Sequence, residues 1–324
     1  MSKYSNPIED YVFSLSSKDF KDLINFINKR IDKDKYGFTS FEEVAISYQR
    51  IPSCPKCRST SYHLDGKTNA GYTRYRCNEC NTSYTLLTNS IFNSAKIPLH
   101  KLINYIQLMS YNVPLELLCE VLDIANNTAE LWRKKIFATV NDYQDHLVLS
   151  GTVWIDETFI EDYEIEAINN GKHLRGLSRS KICIVAAIDN NKNMVAIIAG
   201  HGKPSSKRIL KALKPHIKEG SKIVHDGEHA HYKLIEELKC TEQYVKANTK
   251  DPYYLEKMSL INNMCSWLKR YIRRFVGMDI NNLQSYLNWF IYLQRVKAYD
   301  EKWPKNDRIL RHLLLSNSKF TRKY

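Results

Sequence analysis

Residues 181–200 read KICIVAAIDNNKNMVAIIAG and decide the fold of the C-terminal half. Two apolar runs, Lys181–Asp189 and Met194–Gly200, flank the turn-forming residues Asn190–Asn193. Short runs rich in Ile, Val and Ala that are bounded by turn residues are typical of buried strands. The stretch therefore predicts a β-hairpin.

Further strands and helices alternate around this hairpin. A first strand is predicted at Val153–Ile160 and a fourth at Ser221–Gly227. The remaining predicted elements are helices over 205–213, 230–238, 255–275 and 283–296, with a short strand around 243–245. Three strands, helix, strand, helix, strand, helix is the element order of a ribonuclease-H-like α/β domain. We expect this domain over residues 151–300.

Two aspartates in this domain lie where strands should be buried. Asp156 lies within the first strand, and Asp226 closes the fourth strand just before Gly227. Because a lone aspartate at a strand end is usually a turn or cap residue, neither indicates function by itself. Asn262 and Lys269 follow on the long helix, seven positions apart, so they share one helix face. Together these four residues form a candidate site.

Other polar residues near the aspartates are weaker candidates. Glu157 projects to the opposite side of the first strand, away from its neighbouring aspartate. Glu256 is an alternative third carboxylate, but it lacks a basic residue seven positions later. His225 and His229 flank the second aspartate, and we expect them to support the site or to lie at the surface.

A dense basic run lies along the end of the long helix. It consists of Lys269, Arg270, Arg273 and Arg274. A solvated helix face is one interpretation, and a face that contacts phosphates is the other. The nearby acidic residues favour phosphate contact.

Four cysteines form a separate cluster in residues 51–92. Cys54 and Cys57 make one Cys-x-x-Cys pair, Cys77 and Cys80 make a second, and 19 residues separate them. Each pair puts two thiolates on one tight turn, which is the ligand spacing of a structural zinc ribbon. A redox dithiol is the alternative. Four thiolate ligands leave no open position for a substrate, so we predict structural Zn²⁺.

Helices are predicted on both sides of this ribbon. Residues 1–50 form an N-terminal helical segment, and residues 97–146 form a helix-turn-helix-like region whose second helix starts at Ala129. Arg133 and Lys134 on that second helix are predicted to contact DNA. Residues 301–324 form a basic C-terminal tail.

The charge composition of the chain indicates which class of partner it binds. The 324 residues include 48 Lys and Arg against 35 Asp and Glu, for a net charge of +13. An excess of this size favours a polyanion, with nucleic acid ahead of a membrane surface. The longest purely apolar run, Ile182–Ile188, is too short to span a membrane. The Met1–Pro7 start lacks an apolar signal segment, which favours the cytoplasm, or the nucleus in a eukaryotic host.

From Cys54 to about Val296 the chain resembles the DDE-type transposases of the IS1595 family, which carry an ISXO2-like domain. The motifs that carry the resemblance are Cys54–Cys57, Tyr75–Cys80, Leu86–Phe92, Trp154–Thr158, His225–Glu228, Ile261–Ser266 with Lys269, and Tyr286–Phe290. The resemblance implies a ribonuclease-H-like catalytic domain, action on DNA ends and a requirement for divalent metal. It also implies that Asp156, Asp226 and Asn262 are the metal-binding triad and that Lys269 is the basic residue that follows it.

Phosphodiester chemistry agrees with that set of residues. Carboxylate and amide oxygens suit Mg²⁺ or Mn²⁺, and two such ions support in-line displacement. The leading hypothesis is a transposase that binds its element's terminal inverted repeats, cleaves DNA and joins the ends to target DNA. We expect a homodimer or a higher homo-oligomer, because two ends must be held together. A domesticated or catalytically decayed DNA-binding regulator and a structure-specific nuclease are the alternatives.

Overall fold

The computed structural model describes residues 7–162, 168–169, 172–173, 180–298 and 304–316. The elements of the N-terminal part are α1 (Pro7–Ser14), α2 (Ser17–Tyr36), α3 (Phe41–Ser47), β1 (Tyr62–Lys67), β2 (Thr73–Cys77), β3 (Ser83–Thr85), α4 (Leu99–Ser110), α5 (Leu115–Leu122) and α6 (Asn126–Ala138). They are followed by β4 (Thr152–Glu161), β5 (Ile168–Asn169), β6 (Lys172–His173), β7 (Lys181–Asp189), β8 (Met194–His201), α7 (Ser206–Leu213), β9 (Lys222–His225), α8 (Tyr232–Glu237), β10 (Thr241–Tyr244), α9 (Pro252–Lys257), α10 (Ser259–Ile272), α11 (Leu283–Ala298) and α12 (Lys305–Leu315). Among the described residues, no helix combines the length and the apolarity needed to cross a membrane.

These elements group into two compact units. The first takes residues 1–111, 118–125 and 303–324, and the second takes residues 112–117 and 126–302. The boundaries of the five segments predicted from the sequence stay predictions.

The first unit contains an antiparallel sheet in the order β1-β2-β3, with helices α2 and α12 packed on α4. Asp32 of α2 is buried, and its Oδ1 accepts hydrogen bonds from the backbone N–H (2.8 Å) and Nδ1 (2.7 Å) of His100 at the start of α4. The C-terminal segment predicted as a basic tail contains α12, and its residues 317–324 lie outside the described residues.

The second unit is built on a five-stranded sheet in the order β10-β9-β4-β7-β8. Strands β4, β7 and β8 are antiparallel neighbours, while β9 and β10 run parallel to β4. Helix α7 connects β8 to β9, α8 connects β9 to β10, and α10 packs on β4 and β7. The hairpin and the ribonuclease-H-like α/β fold predicted from the sequence are confirmed.

The two faces of this sheet have different roles. Alternate residues of β4, Val153 and Ile155, are fully buried in an apolar cluster that also holds Val185 of β7, Ile209 of α7 and Leu234 of α8. Because side chains alternate along a strand, Trp154 and Asp156 lie on the other face. That face meets α9 and α10: the indole Nε1 of Trp154 donates to the Lys257 carbonyl at 2.8 Å.

Two helix boundaries differ from the prediction. The long helix predicted over 255–275 begins earlier, at Pro252 after the N-cap Asp251, and is divided at Met258 (φ −94°, ψ 1°) into α9 and α10. The second helix of the predicted helix-turn-helix-like region starts at Asn126 and not at the predicted Ala129. The first turn of this helix is polar, and Asn126 and Asn127 are exposed.

Candidate active site and metal centre

The sheet brings the two predicted aspartates side by side. Strands β4 and β9 are parallel neighbours, and Trp154 pairs with Val224 in their register. Two residues further along β4 lies Asp156, and Asp226 directly follows the end of β9 at His225, so the two aspartates are neighbours at this edge of the sheet. The pairing of β4 with β9 in the sheet thus also brings the two carboxylates together.

The environment of Asp156 disfavours its ionisation. Burial raises the pKa of Asp156 to about 7, the charges of Glu157 and Asp226 add to that effect, and the Glu157 N–H (2.8 Å from Asp156 Oδ1) and His231 oppose it. A carboxylate that resists ionisation beside a second carboxylate is a strong potential ligand for a cation, because the cation relieves both causes.

Asn262 lies half-buried in the first turns of α10. It hydrogen-bonds with the phenol of Tyr254, which lowers the pKa of that phenol against the larger raising effects of burial and of Asp156. The charge of Asp226 also raises the pKa of the Tyr254 phenol. Tyr254 therefore lies near the Asn262 amide and near both carboxylates. The sequence gave no reason to single out Tyr254, since an aromatic residue ahead of a helix is common.

The other candidates on this side are exposed. Lys269, Arg270, Arg273 and Arg274 are all exposed at the end of α10. The side chain of Glu256, the alternative third carboxylate, is 74% exposed and lies 3.3 Å from Lys257 Nζ. It therefore points to solvent and not to the aspartates.

The predicted DNA contact of Arg133 is wrong. The side chain is buried, with its guanidinium 5.5 Å from the ring centre of Phe275, and it donates to the Val113 carbonyl (3.2 Å) and the Tyr286 hydroxyl (3.3 Å). The guanidinium packs α6 against Val113, Phe275 and Tyr286, and it does not face solvent where it could bind a phosphate. Lys134 is exposed and pairs with Glu130 at 2.5 Å.

A buried polar cluster behind the aspartates was missed by sequence reasoning. His225 and His231 are both fully buried, and their Nδ1 atoms lie 3.1 Å apart. His231 Nε2 lies 2.8 Å from Glu157 Oε1, and His225 Nε2 lies 2.9 Å from Glu242 Oε1. The available signal was polar residues at core-facing strand positions, since Glu157 follows the alternation of Val153 and Ile155. His229, by contrast, is exposed.

Opposite pKa shifts accompany this arrangement. Burial lowers the pKa of His225, against its hydrogen bond to Glu242. Burial also acts to lower the pKa of His231, but the hydrogen bond and the charge of Glu157 raise it overall. Of the two rings, His231 is therefore the one that favours the charged form.

The four ribbon cysteines converge on one point in the first unit. Cys54 and Cys80 Sγ atoms are 3.4 Å apart, Cys57 and Cys77 Sγ atoms are 3.5 Å apart, and all four lie within 4.8 Å of one another. A tetrahedral Zn²⁺ with Zn–S bonds of about 2.3 Å needs S···S distances of about 3.8 Å, so the geometry is compatible with a structural zinc ion.

The two cysteine turns have the same backbone construction. The residue after each pair, Arg58 (φ 63°) or Asn81 (φ 58°), is in the left-handed region. Its N–H donates to the carbonyl of the first cysteine of the pair, at 2.9 Å for Cys54 and 3.0 Å for Cys77. Hydrogen bonds from Thr82 lower the pKa of the Cys80 thiol to about 6, which favours the thiolate that a metal binds.

Comparison with solved structures gave matches of low similarity. A chain of the simian T-cell lymphotropic virus intasome in complex with PP2A regulatory subunit B56 gamma is 12% identical, with a TM-score of 0.29, over 44% of this chain and 48% of that one. A pre-cleavage Mos1 transpososome is 12% identical, with a TM-score of 0.22, over 70% and 82%. The Mos1 mariner paired end complex with Mn is 12% identical, with a TM-score of 0.22, over 56% and 71%. This chain thus spans about half the length of the first of these chains. No curated protein matched the sequence.

Comparison with models of protein families gave a match. The ISXO2-like transposase domain matches residues 148–294, which include both aspartates, Asn262 and the whole five-stranded sheet. The family resemblance stated from the sequence motifs is confirmed over this range. Residues 148–294 are therefore similar to the ISXO2-like transposase domain of the IS1595 type.

Proposed function

We propose that this protein is a DNA transposase that binds the terminal inverted repeats of its element and catalyses metal-dependent strand cleavage and strand transfer. The observation that carries the proposal is the pair formed by Asp156 on β4 and Asp226 just after the end of β9, within the residues that match a transposase domain. Burial, and then the charges of Glu157 and Asp226, raise the pKa of Asp156 to about 7. A cation bound by the two carboxylates would offset the cost of ionising Asp156.

Divalent metal fits the residues on this face. Asp156, Asp226 and Asn262 offer only oxygen ligands, which Mg²⁺ and Mn²⁺ prefer. In our proposal Asp156, Asp226 and Asn262 would hold the divalent ions. Bound there, the ions would supply activation of the attacking hydroxyl or water and stabilisation of the leaving oxygen in an in-line displacement. The chain holds the three oxygen ligands on a strand, a strand end and a helix.

Basic residues supply the DNA contacts in this proposal. Lys269, Arg270, Arg273 and Arg274 are exposed beside the acidic site, and Lys134 is exposed on α6. We assign the phosphates near the cleaved bond to Lys269, since an ammonium cannot bind a metal ion but can bind a phosphate. The zinc ribbon and the helices near it would recognise the ends, and a homodimer or a higher homo-oligomer would hold two ends together.

Asn262 separates this proposal from that of a decayed or domesticated regulator. An amide binds a cation without charge, so Asn262→Ala should slow single-turnover nicking by about tenfold or less, as expected for a neutral contact of ~1 kcal/mol. Asn262→Glu should keep or raise activity at limiting Mg²⁺. The exposed neighbour Asn263 provides the matched control, Asn263→Ala. Complete loss in Asn262→Ala, rescued neither by Glu nor by excess metal, would assign Asn262 to positioning DNA or the helix.

The raised pKa of Asp156 predicts a pH-dependent response to metal. In the metal-free protein its folded-state pKa of about 7 exceeds the ordinary value of 3.8, so ionisation costs stability as the pH rises through 7. A bound cation removes that cost, and below pH 7 it must also displace a proton. Mg²⁺ or Mn²⁺ should therefore raise Tm more at pH 8 than at pH 6. Thermal melts of wild type and Asp156→Asn check this, and an equal shift at both pH values in wild type contradicts it.

A further inference from the structure

Four polar side chains join the strand that carries Asp156 to the turn that carries Asp226. The order is Glu157, His231, His225, Glu242, with successive distances of 2.8, 3.1 and 2.9 Å. Both histidines are fully buried, and the Glu157 side chain is 8% exposed. Glu157 adjoins the first aspartate in sequence and His225 adjoins the second. The four residues are here called the histidine relay. A carboxylate oxygen of Asp226 lies within 4.8 Å of ring nitrogens of both histidines.

The hydrogen bonds of the relay connect both histidines to their neighbours. The Gly227 N–H donates to Nδ1 of His225 at 3.2 Å, and Nδ1 of His231 lies 3.1 Å from the same atom. Each Nε2 lies within hydrogen-bond distance of a carboxylate, that of Glu157 or that of Glu242.

The turn after β9 is held by the relay and by its own contacts. Gly227 has φ +91°, and a Cβ there would collide with the ring of Tyr244. Asp226 Oδ1 accepts from the Glu228 N–H at 3.1 Å, and Glu228 pairs with Lys203 at 2.8 Å. His225 adds the contact to Gly227 and, through His231, a connection to Glu157 on β4. This connection spans the two strands whose carboxylates repel each other.

We propose that His231 is a positioning residue that fixes the spacing of Asp156 and Asp226 through the histidine relay. Like charge pushes the two carboxylates apart, and the turn that carries Asp226 has no regular strand beyond His225 to resist that push. The relay resists it with its chain of buried polar contacts, so the ligands are arranged before a divalent ion arrives. The proposal rests on the proposed function, because it assigns the divalent ion to these aspartates.

A metal ion bound between the two histidines is the rival interpretation. His225, Asp226 and His231 could each offer one atom, all within 4.8 Å of one another. The Gly227 N–H argues against it, because a donor already occupies the Nδ1 lone pair that the ion would need. The test therefore includes metal content.

The experiment measures Mn²⁺ binding to the full-length protein by electron paramagnetic resonance, without DNA. The test variant is His231→Phe, which keeps an aromatic ring and removes both hydrogen bonds. Its matched control is His229→Phe, two positions away and exposed. Loss of residues that orient metal ligands typically weakens metal binding about 10- to 100-fold, so we expect a Kd for Mn²⁺ at least about tenfold higher in His231→Phe and unchanged in His229→Phe. Glu157→Gln, which keeps an oxygen acceptor for Nε2, should lose less affinity than His231→Phe.

Each outcome decides one question. Mn²⁺ binding that is absent in wild type, or that survives in Asp156→Ala and Asp226→Ala, overturns the proposed function. Binding lost in those variants but equal in His231→Phe and wild type overturns the relay alone. Metal analysis tests for a second tightly bound transition metal besides the ribbon zinc. If that metal is lost in His231→Phe but kept in Asp156→Ala, the relay is overturned in favour of the rival metal site. If His231→Phe does not fold, Glu242→Leu on the edge strand β10 decides by the same comparison, with at least about a threefold higher Kd expected.

Discussion

Asp156→Ala and Asp226→Ala should each abolish nicking and joining of DNA while leaving the fold intact. Each removes a charged ligand that neither the neutral Asn262 nor Glu157, whose buried carboxylate contacts His231, can replace from its position. Charge stabilisation by bound metal contributes several kcal/mol to such displacements, so we expect a rate loss on the order of 10³-fold or more. Single-turnover nicking of end DNA across a Mg²⁺ titration measures it, with the exposed Asp145→Ala as the matched control.

The stability of these variants should change in the opposite direction from their activity. Because burial and repulsion raise the pKa of Asp156 to about 7, its ionised form destabilises the metal-free protein. Asp156→Ala should therefore melt at the same temperature as wild type, or higher, at pH 8 without metal. A variant that is inactive because it is unfolded would melt lower, and that result would remove the support for a catalytic role.

Cys54→Ser or Cys77→Ser should remove zinc and unfold the ribbon. Structural zinc sites contribute about 10–16 kcal/mol to folding in isolated zinc-finger peptides, which is as large as the stability of a whole domain at about 5–15 kcal/mol. The β1-β2-β3 sheet is too small to offset such a loss with its own core. We expect loss of end binding, with the five-stranded sheet still folded.

Zinc content and limited proteolysis of freshly purified protein test this expectation. Cys240→Ser is the matched control, since Cys240 lies outside the cluster and its Sγ hydrogen-bonds the Leu238 carbonyl at 3.7 Å, a bond that serine can keep. Wild-type protein with no zinc, or a Cys77→Ser variant that keeps zinc and end binding, would contradict a structural zinc site.

The sequence predicts the sheet and the ribbon well because both depend on local patterns. The apolar runs of β7 and β8 indicate that these strands are buried. The spacing within the two Cys-x-x-Cys turns indicates that their thiols can bind one metal ion. Asp156 and Asp226 are predictable as a pair because the order of elements makes β4 and β9 neighbours.

Contacts that form only in three dimensions could not be predicted in the same way. Arg133 has the sequence signature of an exposed basic helix residue, and only the packing of Phe275 and Tyr286 around it shows that it is buried. His231 meets Glu157 across 74 positions of the chain. The break at Met258 lies within a continuous apolar pattern that predicts a single helix.

The most direct test of the central claim is a strand-transfer assay with DNA that carries the element's own terminal repeats. The account predicts that wild-type protein joins the 3′ ends to target DNA only with Mg²⁺ or Mn²⁺, and that Asp226→Ala, folded and able to bind the ends, joins none at any metal concentration. Cleavage without joining would identify a nuclease, and end binding without cleavage would identify a regulator. Strand transfer by Asp226→Ala at the wild-type rate would contradict the site itself.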